Sequence, residues 1–214
     1  MNEDAVQWVA NKLGETDGLK VVERTPEGFL VVRSEENYSF LVAVLGVRDL
    51  IEVSDVEPLF TGATKPQFVV NVPSRTLWSG AAIGRIHAAS AAFGTLGEVS
   101  RAAHTEDAGS YRNKNMDYFI NAMQQHKNVH SVSYVYETVF RVHRMIGPSL
   151  TVAVIDAYNM SAEDVRNAKA RFGHFDVVVK SSSYGSITSA AADAADSIGA
   201  QALTFGGLMQ RLGK

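Results

Sequence analysis

The sequence predicts an α/β protein built from two tandem copies of one pattern, each a mixed sheet flanked by helices, packed as one compact unit. Four observations carry that prediction. The stretch "SFLVAVLG" at 39 to 46 recurs as "SLTVAVID" at 149 to 156, an offset of 110 residues. At the same offset "VQWVANKL" (6 to 13) lies on "MDYFINAM" (116 to 123), with apolar residues matched at Val6/Met116, Trp8/Tyr118, Val9/Phe119 and Leu13/Met123. Ser79, Ala81, Ala82, Ala92, Gly97 and Arg101 likewise fall on Ser189, Ala191, Ala192, Ala202, Gly207 and Arg211. Finally, the order of elements repeats, as tandem architectures require.

The first half opens with an acidic, amphipathic helix over 3 to 13, followed by strands at 19 to 25, 28 to 33 and 38 to 46. A short helix near 54 to 60, a strand at 67 to 72, a helix at 77 to 89, a short strand and a helix at 95 to 103 complete it. The second half repeats the series: a helix at 113 to 126, strands at 129 to 135, 139 to 145 and 150 to 155, and a helix at 161 to 171. A strand at 175 to 180, a helix at 187 to 198, a strand at 200 to 204 and a helix at 206 to 213 follow. Ser161 with Asp164 starts one helix as a capping box, with Asp in place of the usual Glu. Thr188 and Ser189 cap the alanine-rich helix after them. "HTEDAGS" (104 to 110) is polar and contains glycine, so the boundary is set there and the repeats read as 1–105 and 106–214.

Composition narrows the classes of function. A chain of 214 residues with 46% hydrophobic content buries a core without staples. There is no cysteine, which removes disulfides, zinc ribbons and thiol nucleophiles and fits a reducing cytoplasm. The start of the chain lacks the basic and apolar blocks of a signal peptide, and no apolar run reaches the roughly 20 residues that span a bilayer. The expectation is a soluble, cytoplasmic protein of bacterial type with no membrane partner. Net charge is -3, against a generic nucleic-acid coat. The second half carries 11 Lys/Arg against 10 Asp/Glu, the first 9 against 13, so the second is the half suited to an anionic ligand.

The order of helix, three-stranded meander, crossover helix, strand, helix and strand resembles the core of the restriction-endonuclease-like superfamily, the PD-(D/E)xK nucleases. The segment 175 to 212, "FDVVVKSSSYGSITSAAADAADSIGAQALTFGGLMQRL", resembles the closing part of Mrr-type members. The resemblance implies an acidic residue near the start of the second strand and a (D/E)-x-K on the third. These bind a divalent metal, and the lysine serves the attacking water. The chain departs from that pattern. The third strands offer Ala43 and Leu45 in one copy and Ala153 and Ile155 in the other, while Glu27 and Glu137 remain at the second strands. One carboxylate is a poor magnesium site, so no metal and no cofactor is expected.

Asp156, at the end of "SLTVAVID", aligns with Gly46, and both stand where a strand must turn. Its functional reading pairs it with Lys180 of the next strand, which requires neighbouring strands with both side chains at one edge. "KSSSYGS" (180 to 186) puts Lys180, Ser182, Ser183 and Tyr184 before a helix N-terminus, where an anion binds or a Ser/Lys pair attacks an acyl group. The corresponding turn in the first copy carries Asn71, Arg75 and Trp78, the last either stacking on a base or packing as core. Arg112 and Lys114 stand at a helix start that the dipole makes unfavourable for cations. Arg141 and His143 share one side of a strand. The histidines show no metal spacing, and "FGTLGEV" and "TFGGLMQ" are helix entries rather than a dinucleotide fingerprint.

The expectation is a catalytically degenerate nuclease-fold protein that binds nucleic acid or a protein partner, in DNA processing or defence as the resemblance implies. The alternative is an active Mg2+-dependent nuclease, or a hydrolase, with a relocated site around Glu137, Asp156 and Lys180. Homo-oligomerisation is left open. A third reading, one doubly wound domain, requires one continuous parallel sheet in place of two meanders.

Overall fold

Glu3 and Asp4 place negative charge at the positive end of the first helix, α1 (Glu3–Gly14), whose residues Ala5, Val6, Val9 and Leu13 fall on one buried face. The computed structural model to which this helix belongs describes residues 3–213. The chain forms two compact units, Met1–Asn113 and Lys114–Lys214.

In the first unit α1 is followed by an antiparallel meander of β1 (Leu19–Arg24), β2 (Leu30–Ser34) and β3 (Ser39–Val44). The chain then leaves the sheet through β4 (Leu50–Ile51) and α2 (Val53–Val56). A 3-10 turn over Glu57–Phe60 ends that crossover, with Pro58 supplying no N–H to continue the helix. It returns as β5 (Phe68–Val70), parallel to β3. Next come β6 (Leu77–Trp78), which pairs with β4, then α3 (Gly80–Ala88), β7 (Ala92–Gly94) and α4 (Leu96–Ala103). The sheet order is β1-β2-β3-β5-β7.

The second unit runs α5 (Lys114–Gln125), β8 (Val129–Tyr136), β9 (Val139–Arg144), β10 (Leu150–Ile155), α6 (Ala162–Phe172), β11 (Val177–Lys180), α7 (Ser189–Ser197), β12 (Gln201–Thr204) and α8 (Phe205–Leu212). Its sheet order is β8-β9-β10-β11-β12, with the meander antiparallel and the last two strands parallel. Two separate five-stranded mixed sheets form, with one strand order and one set of directions, and among the described residues no continuous sheet joins them.

Side-chain alternation explains why the central strands read as unbroken apolar runs: both faces are covered. In β10, Val152 and Val154 pack with Phe119, Phe140 and Leu208 on the α5/α8 face. Ala153 packs with Val165, Ala168, Ala191 and Ala195 on the α6/α7 face. Each fully buried large side chain contributes about 1.5–3 kcal/mol, so these layers set the registers. The registers agree between units: Leu30 faces Val42 as Phe140 faces Val152, and Leu19 faces Ser34 as Val129 faces Arg144.

Past the third strand the correspondence steps from 110 residues to 109. The capping box of α2 uses Glu52 and Asp55, that of α6 Ser161 and Asp164, and α3 and α7 are capped by Ser79 and Thr188. Ser79 therefore matches Thr188 rather than Ser189. The connection after the third strand is one residue shorter in the second unit, where a length difference disturbs no ladder.

The polar stretch at 104 to 110 does not lie between the units. Ala108 is fully buried in the first core, and its N–H donates to the Tyr38 hydroxyl at 2.9 Å. Tyr111 packs on Phe68, 6.2 Å between ring centroids, and the division falls between Asn113 and Lys114.

Candidate functional site

In the second unit β10, β11 and β12 run parallel, so the chain leaves each at the same end of the sheet, the end where open α/β sheets hold ligands. Two loops there are joined. The Ser186 N–H donates to Asn159 Oδ1 at 2.9 Å, the Met160 N–H to the Ser186 carbonyl at 2.9 Å, and the Thr188 N–H to the Met160 carbonyl at 3.1 Å. Gly185, at φ +75°, lies so close to the Tyr158 carbonyl that an added Cβ would stand 1.9 Å from its oxygen. The close approach fixes both loops, and it leaves Tyr158 and Tyr184 exposed at 68% and 75%. Tyr118 on α5, exposed at 60%, packs on Phe205 nearby in the fold, 5.1 Å between ring centroids.

Lys180 holds this arrangement from inside. It is 1% exposed, and its Nζ donates to the Ser182 carbonyl at 2.5 Å and to the Tyr184 carbonyl. A buried ammonium is tolerated only where oxygens replace its water, and the loop supplies them. Tyr184 N–H in turn donates to Ser182 Oγ at 3.1 Å, while Ser183 is exposed.

Asp156 and Lys180 end adjacent parallel strands, with Ile155 opposite Lys180. Alternation nevertheless sends them to opposite faces. Asp156 is exposed and accepts from Ser181 Oγ at 3.0 Å, on the side of Val154 and Val179. Lys180 follows Val178 to the other side. Neither partner of Nζ is a hydroxyl, so the geometry holds no Ser/Lys dyad poised for acyl transfer.

The remaining candidates scatter. Glu137 lies in the β8–β9 turn and pairs with Arg171 at 2.5 Å, while Glu27 is exposed in the matching turn, its carboxyl held low by the Thr64 side chain. Ala43 and Ala153 are fully buried in the sheet centres. Among the described residues no group of three His, Asp or Glu side chains stands together in metal-holding geometry. Trp78 is 4% exposed, 4.9 Å from Phe93 between centroids, and serves as core rather than as a stacking platform. Asn71 is also buried. Its Nδ2 donates to the Arg48 carbonyl at 2.8 Å and to Thr76 Oγ1 at 2.6 Å. Arg112 belongs to the first unit and donates to the Gly109 and Tyr111 carbonyls. Lys114 is exposed at the first turn of α5. Arg141 and His143 lie toward the other end of the sheet, with His143 Nδ1 3.0 Å from Ser149 Oγ.

Sequence reasoning found the serine-rich turn and missed its partners Tyr158 and Asn159, although "DAYN" directly after a buried strand is itself a turn signal. The cavity beneath this end, between Tyr118, Phe119, Ser181 and Phe205, holds about 20 Å3. That admits one water, far below the several hundred Å3 of a small-molecule site. What this end offers is a surface.

No helix among the described residues is long and apolar enough to cross a membrane. A scan against protein-family models finds no match, and searches of curated proteins and of solved structures find none either.

Proposed function

We propose that the chain is a tandem of restriction-endonuclease-like units that has no cleavage centre of the family type and acts as a binding component. The observation that carries the reading is the pair Ala43 and Ala153, fully buried at the centres of the third strands where the resemblance calls for a metal-binding carboxylate, with Leu45 and Ile155 at its lysine positions. The shared strand order of the two sheets supports the tandem reading, and a setting in DNA processing or defence rests on the resemblance.

The binding surface of this reading is the loop end of the second unit, and its ligand is a protein. Residues 156 to 159 and 181 to 186 are Asp, Ala, Tyr, Asn, Ser and Gly, with no Lys or Arg, and Lys180 beneath them is buried. The affinity of a protein for a nucleic-acid backbone rests mainly on exposed cations that displace its counterions. Tyrosines on a rigid scaffold, interleaved with Ser, Asn and Gly, are instead the composition of protein-recognition loops, where each ring gives a large contact at small entropic cost.

Titration of the purified chain into labelled single- and double-stranded DNA and RNA, with Mg2+ or Mn2+, tests this directly when anisotropy and fragment length are read together. The reading expects neither cleavage nor salt-sensitive binding. Metal-dependent cleavage abolished in Asp156→Asn overturns the non-catalytic assignment, and binding that weakens with salt moves the ligand from protein to nucleic acid.

A further inference from the structure

Four strands end the two sheets, and three of them carry a device against pairing with another chain. In β1 the strand holds Lys20, Glu23 and Arg24, with a register shift between Val21 and Glu23. In β8 the register shifts twice. Beside β7 lies the short 3-10 segment Ala108–Ser110, with Gly109 so close to the Ser90 carbonyl that a Cβ would come within 2.3 Å of its oxygen. Charge, bulges and covering segments are the usual protections of a sheet edge.

The fourth edge, β12, has no charge or bulge within the strand, and the cation that reaches it is Arg211 of α8, which donates to Gln201 Oε1 at 2.5 Å. "QALT" contains no charge and no proline, its register with β11 is unbroken from Gln201 to Thr204, and Gln201 and Thr204 are exposed. The Gln201 N–H is used by the Asp176 carbonyl at 3.0 Å. Alternation therefore turns the N–H groups of Ala202 and Thr204, and the carbonyls of Ala200 and Ala202, away from β11.

We infer that β12 is a strand-addition edge and that its occupant is a second copy of this chain, paired antiparallel about a two-fold axis through Ala202. The strand is self-complementary in that register. Ala202 meets Ala202 of the second copy as a hydrogen-bonded pair exchanging two N–H···O bonds, and the Thr204 N–H reaches the Ala200 carbonyl on each side. Gln201 then stands opposite Leu203, so the strand's own side chains bring no like charges together, whereas a self-paired β1 brings Lys20, Glu23 and Arg24 into the ladder. The two-fold arrangement uses the same patch on both copies, as most homodimers do.

Sedimentation equilibrium over a concentration series is the test, with the full chain and with Ala202→Pro, which deletes the outward N–H at the centre of the pair. The inference expects the wild type to approach twice the monomer mass as concentration rises and the variant to remain monomeric with an unchanged thermal melt. A wild type that stays monomeric at the highest concentrations, or a dimer that persists in a folded Ala202→Pro, overturns it. Should the variant unfold, amide exchange in the wild type decides: slower exchange at Ala202 and Thr204 with rising concentration supports the pairing, and concentration-independent exchange there refutes it.

Discussion

The fourth strand of each sheet ends in a buried polar residue, Asn71 in the first unit and Lys180 in the second, at corresponding positions. Asn71 reaches sideways to the Arg48 carbonyl and Thr76, tying the turn to the connection after β3. Lys180 reaches up into its own loop and holds two of its carbonyls. The consequence appears a few residues later. In the first unit Trp78 folds inward against Phe93. In the second, Ile187 takes the matching place in the bridge to Met160, and Tyr184 is displayed where the first unit displays Arg75. One backbone plan thus displays an arginine on one turn and a tyrosine on the other, each turn anchored by a different buried polar side chain.

Several substitutions sharpen this contrast, beginning with the largest expected effect. Lys180→Ala removes a buried stem and leaves two carbonyls without donors, which costs about 4 kcal/mol of stability in denaturant unfolding. Lys180→Met keeps the stem and loses only the donors, so about 2 kcal/mol is expected, and a larger loss for Met than for Ala breaks the anchoring account.

Acid should separate the two units. Burial, with Arg112 adding repulsion, pushes the His87 imidazole down to about 4 from 6.5. Between those values the unfolded chain binds the proton and the folded chain does not. The stability is therefore complete above about pH 6.5 and falls as pH drops, by about 3 kcal/mol at pH 4. Asp196 occupies the corresponding place in the second unit and is exposed. Unit-resolved hydrogen exchange should show first-unit protection falling toward pH 4, and His87→Gln should remove that slope.

Gly185→Ala is next. It forces a Cβ against the Tyr158 carbonyl at a positive φ, and about 2 kcal/mol is expected from the strain. Thr76, at the matching place in the first unit, shows that the requirement comes from the second unit's loop contact and not from the fold. Tyr184→Ala is the smallest: its ring is exposed, so stability should move by less than about 0.5 kcal/mol.

Much of this architecture was legible in the chain. The strand predicted over 150 to 155 is β10, and helices predicted over 113 to 126 and 206 to 213 are α5 and α8 within a residue. Apolar periodicity determines such elements because burial does. Two things escaped. The helix expected over 77 to 89 begins at Gly80, since Leu77 and Trp78 pair with β4, a contact that no local pattern encodes. The shift from 110 to 109 was hidden by chance identities in alanine-rich helices, and the caps at Ser79 and Thr188 were the signal that carried it. At the site, Lys180 read as an anion ligand, half of a Ser/Lys pair or a partner of Asp156, because sequence shows a charge but not where the following turn folds back. Tyr158 was passed over because its importance comes from Gly185, 27 residues later, lying against its carbonyl.

Amide hydrogen exchange of residues 181 to 186, in the wild type and in Lys180→Met, tests the anchoring claim most directly. The account predicts that exchange across this loop speeds up by about tenfold or more in the variant, the equivalent of about 1.4 kcal/mol of lost local stability, while β10 and β11 stay protected. Unchanged exchange in the loop, with the strands intact, would contradict it, for Lys180 would then be buried without holding the surface above it.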